Sequence, residues 1–143
     1  MIYIGYQGIG KSSISGNKNI DLESSNFWVD NERVENWFKI YCNIAEHLSN
    51  QGFNVFMSSH KIIREEFNRR GTKFITICPC LELKDKWLKR LEERYNKSKS
   101  EKNLKALKNA EQCYEENIID LMQEDEVINI QNIDYNLEDL LYK

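Results

Sequence analysis

Gly5-Tyr6-Gln7-Gly8-Ile9-Gly10-Lys11-Ser12 is the stretch on which the reading of this 143-residue chain turns. It fits G-x-x-x-x-G-K-[ST], the pattern of a loop that cradles phosphate. Apolar Met1-Ile2-Tyr3-Ile4 runs straight into it, and a helix-compatible segment, Lys11 to Gly16, follows. A loop wrapped around a phosphate turns tightly and brings its backbone close to oxygen atoms. Glycines at 5, 8 and 10 allow both because they lack a Cβ. The loop N–H groups then gather at the start of a helix, a ready anion site. On this pattern Gly8, Ile9, Gly10, Lys11, Ser12 and Ser13 hold nucleotide phosphates, with Lys11 on the β- and γ-phosphates and Ser12 offering its hydroxyl to Mg²⁺. The alternative is a glycine-rich turn that matches by accident.

The length predicts one domain with a core that needs no disulfide or metal staple. The net charge of −3 is unevenly spread. Residues 82–108 carry ten basic against five acidic side chains, and residues 109–143 carry one against ten. A basic middle in an acidic protein points to a local anion site rather than to general nucleic-acid affinity. Nucleic acid is not expected as a partner, because the basic stretch carries no interleaved basic–aromatic motif. The four cysteines, 42, 78, 80 and 113, form no secreted disulfide framework. The Cys78-Pro79-Cys80 pair lacks the second Cys or His pair that a zinc site requires. No apolar run reaches membrane-spanning length, and no signal segment precedes the first strand. These features predict a cytoplasmic protein with reduced thiols and no membrane partner, a monomer or homodimer.

Hydrophobic periodicity predicts strands at about 1–5, 18–22, 54–57, 73–78 and 127–130. Helices are predicted over 31–50, 61–70, 82–98, 102–123 and 136–142. In the first of these, Val34, Trp37, Phe38, Tyr41, Ala45 and Leu48 make the inward stripe, Asp30 the cap, and His47 a solvated position. The two helices over 82–123 read as a hairpin with a basic first arm and a mobile polar tip at 96–102. Strands alternating with helices predict an α/β fold with a parallel sheet covered on both faces.

Ligands of such sheets gather at the carboxyl ends of strands. Asp21 and Glu23 lie two apart after the second strand and face one way in an extended chain. They are candidates for metal and acceptor-hydroxyl contacts, or else a polar turn. Ser59, His60 and Arg64 follow the third strand and suit an acceptor site; otherwise Ser59 caps the helix and Arg64 is a surface charge. Arg90 and Arg94 share a helix face, and their planar forks suit phosphoryl oxygens, although two solvated helices would also place them there.

Taken together, the loop at 5–12, the acidic Asp21-Leu22-Glu23, the polar Ser58-Ser59-His60 and the Arg-bearing helical pair resemble the small P-loop kinases of the nucleotide and shikimate kinase type. The run Gly-Tyr-Gln-Gly-Ile-Gly-Lys-Ser with Ile-Asp-Leu-Glu-Ser-Ser also resembles small kinase-like proteins of bacteriophages and low-GC bacteria, including nucleoside monophosphate kinase-like ones. The resemblance implies a P-loop NTPase fold: three α/β/α layers, a five-stranded parallel sheet in the order 2-3-1-4-5, and a helical lid over about 82–123. It implies ATP and Mg²⁺ as cofactors and transfer of the γ-phosphoryl group to a small acceptor, a nucleoside or nucleoside monophosphate. Lys11, Asp21, Arg90 and Arg94 would be catalytic, Ser12 and Asp21 would hold the metal, and Asp21, Glu23, Ser59, His60 and Arg64 would hold the acceptor. The chain departs from the family in lacking a Gly-Gly-Gly or Asp-Gly-[FY]-Pro-Arg sequence after the third strand and an aspartate at that strand's end. A kinase for another metabolite, or a nucleotide-binding regulator without turnover, are the alternatives.

Overall fold

The computed structural model describes residues 1–11, 14, 16–29 and 32–141. The chain is an α/β protein with seven strands and five α-helices among these residues. Five strands form one sheet: β1 (Ile2–Gly5), β2 (Asn19–Asp21), β5 (Asn54–Ser58), β6 (Ile75–Pro79) and β7 (Val127–Ile130), in the order β2-β5-β1-β6-β7. The pairings of β5 with β1 and β2, and of β6 with β7, are parallel. The strand order differs in its numerals from the expected 2-3-1-4-5. Two further strands, β3 (Trp28–Val29) and β4 (Glu32–Arg33), enter the count as a separate antiparallel ribbon.

The chain divides into two compact units. The first comprises residues 1–5 and 11–75. It holds β1 to β5, α1 (Trp37–Asn50) and α2 (Lys61–Arg70). Alternation along β1 and β5 sorts its core. Ile2, Ile4, Val55 and Met57 join Tyr41, Cys42 and Ala45 of α1 and Ile63 and Phe67 of α2 in one buried cluster. The residues between them, Tyr3 and Phe56, are register partners, and their rings stack 5.0 Å apart.

The helix expected over 31–50 begins only at Trp37. Glu32 and Arg33 instead pair with Val29 and Trp28. Asn36 adopts a left-handed conformation (φ 58°) ahead of the helix. Val34, expected inward, is 42% exposed, and its N–H bonds to the Phe27 carbonyl at 2.9 Å. Residues 32–34 therefore spend their backbone groups on the ribbon and not on a helical turn. Asp30, the expected cap, lies outside the described residues.

Helix α2 is fastened to α1 by ions. Glu66 accepts from Arg69 at 2.6 Å and from Arg70 at 2.7 Å. Arg70 also reaches Asn43 at 2.8 Å and Glu46 at 3.2 Å on α1.

The second unit comprises residues 6–10 and 76–143, described to 141. Here β6 and β7 accompany α3 (Lys84–Lys97), α4 (Glu101–Leu121) and α5 (Leu137–Leu141). Helices α3 and α4 form the expected hairpin, with Trp87, Leu91, Ala106, Ala110, Tyr114, Ile118 and Leu121 buried. The connector is shorter than the expected tip at 96–102, because the helices run to Lys97 and from Glu101. Ser100 caps α4 by accepting from the Asn103 N–H at 3.1 Å, and the Asn103 side chain donates to the Ser98 carbonyl at 2.7 Å. Cys78 and Cys80 are buried and form no disulfide among the described residues. No helix among the described residues is long and apolar enough to cross a membrane.

Hydrogen bonds from Arg69 and then Arg70 hold the Glu66 carboxyl down to about 2, from an ordinary value of 4.5. A lowered carboxylate contributes stability above its unfolded value and loses it as pH falls. Glu66→Gln is expected to flatten the decline in unfolding free energy between about pH 4.5 and 2, as read by urea denaturation at several pH values.

Candidate functional site

The loop begins where β1 ends. Gly5 closes the strand, and the Lys11 ammonium returns to the Gly5 carbonyl at 3.2 Å. The helix-compatible segment expected over Lys11 to Gly16 lies partly outside the described residues, which lack 12, 13 and 15. The Ile14 N–H bonds to the Lys11 carbonyl at 3.4 Å, and Gly16 has φ 109°. None of the described residues between 11 and 18 is α-helical. Ser12 and Ser13, expected on Mg²⁺ and phosphate, lie outside the described residues.

Residues 6–10 belong to the second unit, and their shape is set there. Gly8 (φ 86°) and Gly10 (φ 101°) occupy backbone conformations that L side chains rarely adopt. A Cβ on Gly8 would lie 2.8 Å from Leu91 Cδ2 and 3.3 Å from Trp87 Nε1, so the backbone is pressed onto α3. At Gly10 a Cβ would meet nothing within 4 Å. Three successive carbonyls take side-chain donors. Trp87 Nε1 reaches the Gln7 carbonyl at 2.9 Å, Arg90 Nε the Gly8 carbonyl at 2.8 Å, and the Tyr135 hydroxyl the Ile9 carbonyl at 2.6 Å. Burial pushes the Tyr135 hydroxyl up to about 12, so it remains a donor at neutral pH. The rings of Trp87 and Tyr135 stack at 9° with centroids 6.1 Å apart, and the Arg90 guanidinium lies 5.2 and 5.3 Å from them. The Gln7 side chain anchors the loop to α4 through the Ala106 carbonyl and Asn109, each at 3.0 Å.

In a trans peptide the C=O and the following N–H point in opposite directions. Fixing the carbonyls of Gln7 and Ile9 therefore turns the N–H groups of Gly8 and Gly10 away from their donors. Neither N–H has a hydrogen-bond partner among the described residues. The Ile9 N–H closes the turn on the Tyr6 carbonyl at 3.4 Å.

A second cluster lies within the first unit, at the carboxyl ends of β2 and β5. Ser24, buried, lies 3.2 Å from both the Ser58 hydroxyl and His60 Nε2. Both terminal nitrogens of Arg33 lie 3.4 Å from the same His60 nitrogen, and the guanidinium sits 4.0 Å over the Trp37 ring. The Tyr41 hydroxyl donates to the Leu22 carbonyl at 2.5 Å and accepts from the Ser58 N–H at 3.1 Å, tying the ends of β2 and β5 together. Burial, with smaller contributions from Glu23 and Asp21, pushes that hydroxyl up to about 12. Arg64, expected either at an acceptor or on the surface, is only 6% exposed. Ser59 is not the helix cap: α2 starts at Lys61, and the His60 carbonyl accepts from the Ile63 and Arg64 N–H groups at 3.1 and 3.3 Å.

The fold therefore gathers Lys11, His60 and Arg64 in one electrostatic neighbourhood, and Gly8, Ile9, Gly10 and Arg90 in one loop assembly. Arg94 points elsewhere along α3, with Nε on Asn103 Oδ1 at 2.8 Å. Sequence reasoning misses Arg33, Ser24, Trp87 and Tyr135. Arg33 is hidden inside a helical pattern that starts late. Trp87 reads as core stripe, and Tyr135 sits in a polar loop without a motif. Among the described residues no three His, Cys, Asp or Glu side chains converge on a metal position. A Mg²⁺ bound chiefly by phosphate oxygens, with one carboxylate, needs no such cage.

Burial, then Arg33, Lys11 and Arg64, lowers His60 from 6.5 to about 4. Because the unfolded chain takes up this proton first, folding stability declines as pH falls from about 6.5 to about 4. The His60 ring resonances are expected to titrate near 4 in an NMR pH series, and a midpoint near 6.5 would contradict the cluster.

Neither a protein-family model, nor a curated protein, nor a solved structure matches this chain.

Proposed function

We propose that the chain is a Mg²⁺·ATP-dependent phosphotransferase acting on a nucleoside or nucleoside monophosphate, built as a three-layer P-loop NTPase with a helical lid over about 82–123. What carries this reading is the loop at 5–11. Among the described residues the Gly8 and Gly10 N–H groups have no hydrogen-bond partner, and a Cβ on Gly10 would meet nothing within 4 Å. Such a turn can accept a polyphosphate, and the Lys11 ammonium is held beside the loop by the Gly5 carbonyl.

On this reading the amides of Gly8 and Gly10 hold phosphate oxygens, and Lys11 neutralises the β- and γ-phosphates. Mg²⁺ would be held by Ser12 and Asp21, and when bound it would offset charge on the phosphate oxygens. Asp21 orients the acceptor, whose hydroxyl or phosphate oxygen forms the new bond to γ-phosphorus as the bond to the β–γ bridging oxygen breaks, with ADP leaving and a hydroxyl acceptor's proton passing to solvent. Arg90 and Arg94 supply positive charge along α3. Glu23, Ser59, His60 and Arg64 hold the acceptor, with Arg33 added to that set by its place against His60. Loose phosphoryl transfer depends on such placement and charge neutralisation more than on covalent chemistry.

One observation favours a second reading, a nucleotide-holding regulator without turnover. Strand β5 ends in Ser58, followed by Ser59 and His60, and so brings no carboxylate of its own to the site.

The test is a panel of nucleosides, nucleoside monophosphates and other small hydroxylated metabolites incubated with Mg²⁺·ATP, with ADP and phosphorylated product measured. Lys11→Ala is expected to lower phosphotransfer by at least about a hundredfold while the circular dichroism spectrum is retained. Wild-type activity in that variant would contradict the assignment. Tight ATP binding with no product across the panel would favour the regulator.

A further inference from the structure

We infer that Trp87, Arg90 and Tyr135 are positioning residues for polyphosphate binding, acting as donors that fix three successive peptide planes of the loop. This rests on the phosphate-binding reading of that loop and names what sets its shape.

The loop is not held by its own backbone. Among the described residues its internal backbone bond is long, from the Ile9 N–H to the Tyr6 carbonyl at 3.4 Å, and the Tyr6 N–H is fixed outside the loop by the Ile77 carbonyl at 2.9 Å. The short bonds to the next three carbonyls come from side chains: 2.9 Å to Gln7, 2.8 Å to Gly8 and 2.6 Å to Ile9. Two of these donors come from adjacent turns of α3, and the third from the segment between β7 and α5. Trp87 is fully buried, and it stacks on Tyr135 while Arg90 lies beside both rings. Each donor is thus braced by the other two.

The geometry has a directional consequence. Glycine at 8 and at 10 leaves those peptide planes free to rotate, which would scatter the amides over many directions. A donor on the Gln7 carbonyl selects one direction for the Gly8 N–H, and a donor on the Ile9 carbonyl selects one for the Gly10 N–H. The bond from Arg90 does the same for the plane between them. Preorganisation of this kind raises anion affinity because the loop does not lose freedom at the moment of binding. Arg90 acts here through Nε, so its contribution to the loop precedes any role of its terminal nitrogens at a phosphoryl group.

Tyr135→Phe tests the inference, because it keeps the ring and removes only the donor. Binding of inorganic tripolyphosphate is measured by calorimetry in the wild type and the variant, alongside melting temperature. The expected result is a dissociation constant about tenfold weaker in the variant, with melting temperature within a few degrees. Equal affinity in a variant that folds would overturn the positioning role while leaving the phosphate reading intact. No binding to the wild type would overturn both. If Tyr135→Phe does not fold, Trp87→Phe carries the same comparison at the Gln7 carbonyl. Failure of both variants to fold would make the contacts purely structural and overturn the inference.

Discussion

The opposed directions of C=O and N–H within a planar peptide are the constraint on which the loop depends. Glycines make the turn possible, but they do not say which way it faces. Direction comes from the indole, guanidinium and phenol that occupy the Gln7, Gly8 and Ile9 carbonyls. In larger phosphate-binding loops a following helix shares that task through its aligned amides.

The cluster at the ends of β2 and β5 follows a different rule. It places Arg33, Lys11 and Arg64 near a histidine whose neutral form is favoured first by burial and then by those cations. A neutral imidazole can accept from Arg33 or from the Ser24 hydroxyl, whereas an imidazolium could only donate. The Tyr41 hydroxyl bridges the same strand ends, so the cluster is anchored in the core of its unit and not on a loose loop. One short chain thus carries a loop whose carbonyls are held by side-chain donors, and a desolvated set of cations and hydroxyls with Asp21 and Glu23 acting on the Tyr41 hydroxyl.

Much of the fold is legible in the sequence because apolar periodicity is strong. The helix at Lys61–Arg70 and the strand at Val127–Ile130 fall on their expected residues, and buried Trp87 and Leu91 with Ala110, Tyr114 and Ile118 mark the inner faces of the hairpin. Periodicity misleads at residues 31–36. Val34 lies three before Trp37 and so continues the helical stripe, yet the chain there pairs as a ribbon. The mobile tip is likewise misread, since nothing in composition reveals that Ser100 and Asn103 close the connector. At the candidate site, motif residues are visible while their supports are not. Arg33, Trp87 and Tyr135 have no fixed spacing from the loop; only the fold brings Trp87 and Tyr135 onto its carbonyls.

The central claim is that the amides of Gly8 and Gly10 receive a polyphosphate. The most direct measurement is an amide ¹H–¹⁵N correlation spectrum of the labelled protein, recorded as inorganic tripolyphosphate is added. The predicted result is saturable shifts that are largest at Gly8 and Gly10. Shifts absent from those two glycines, or confined to the basic residues of 84–108, would contradict it.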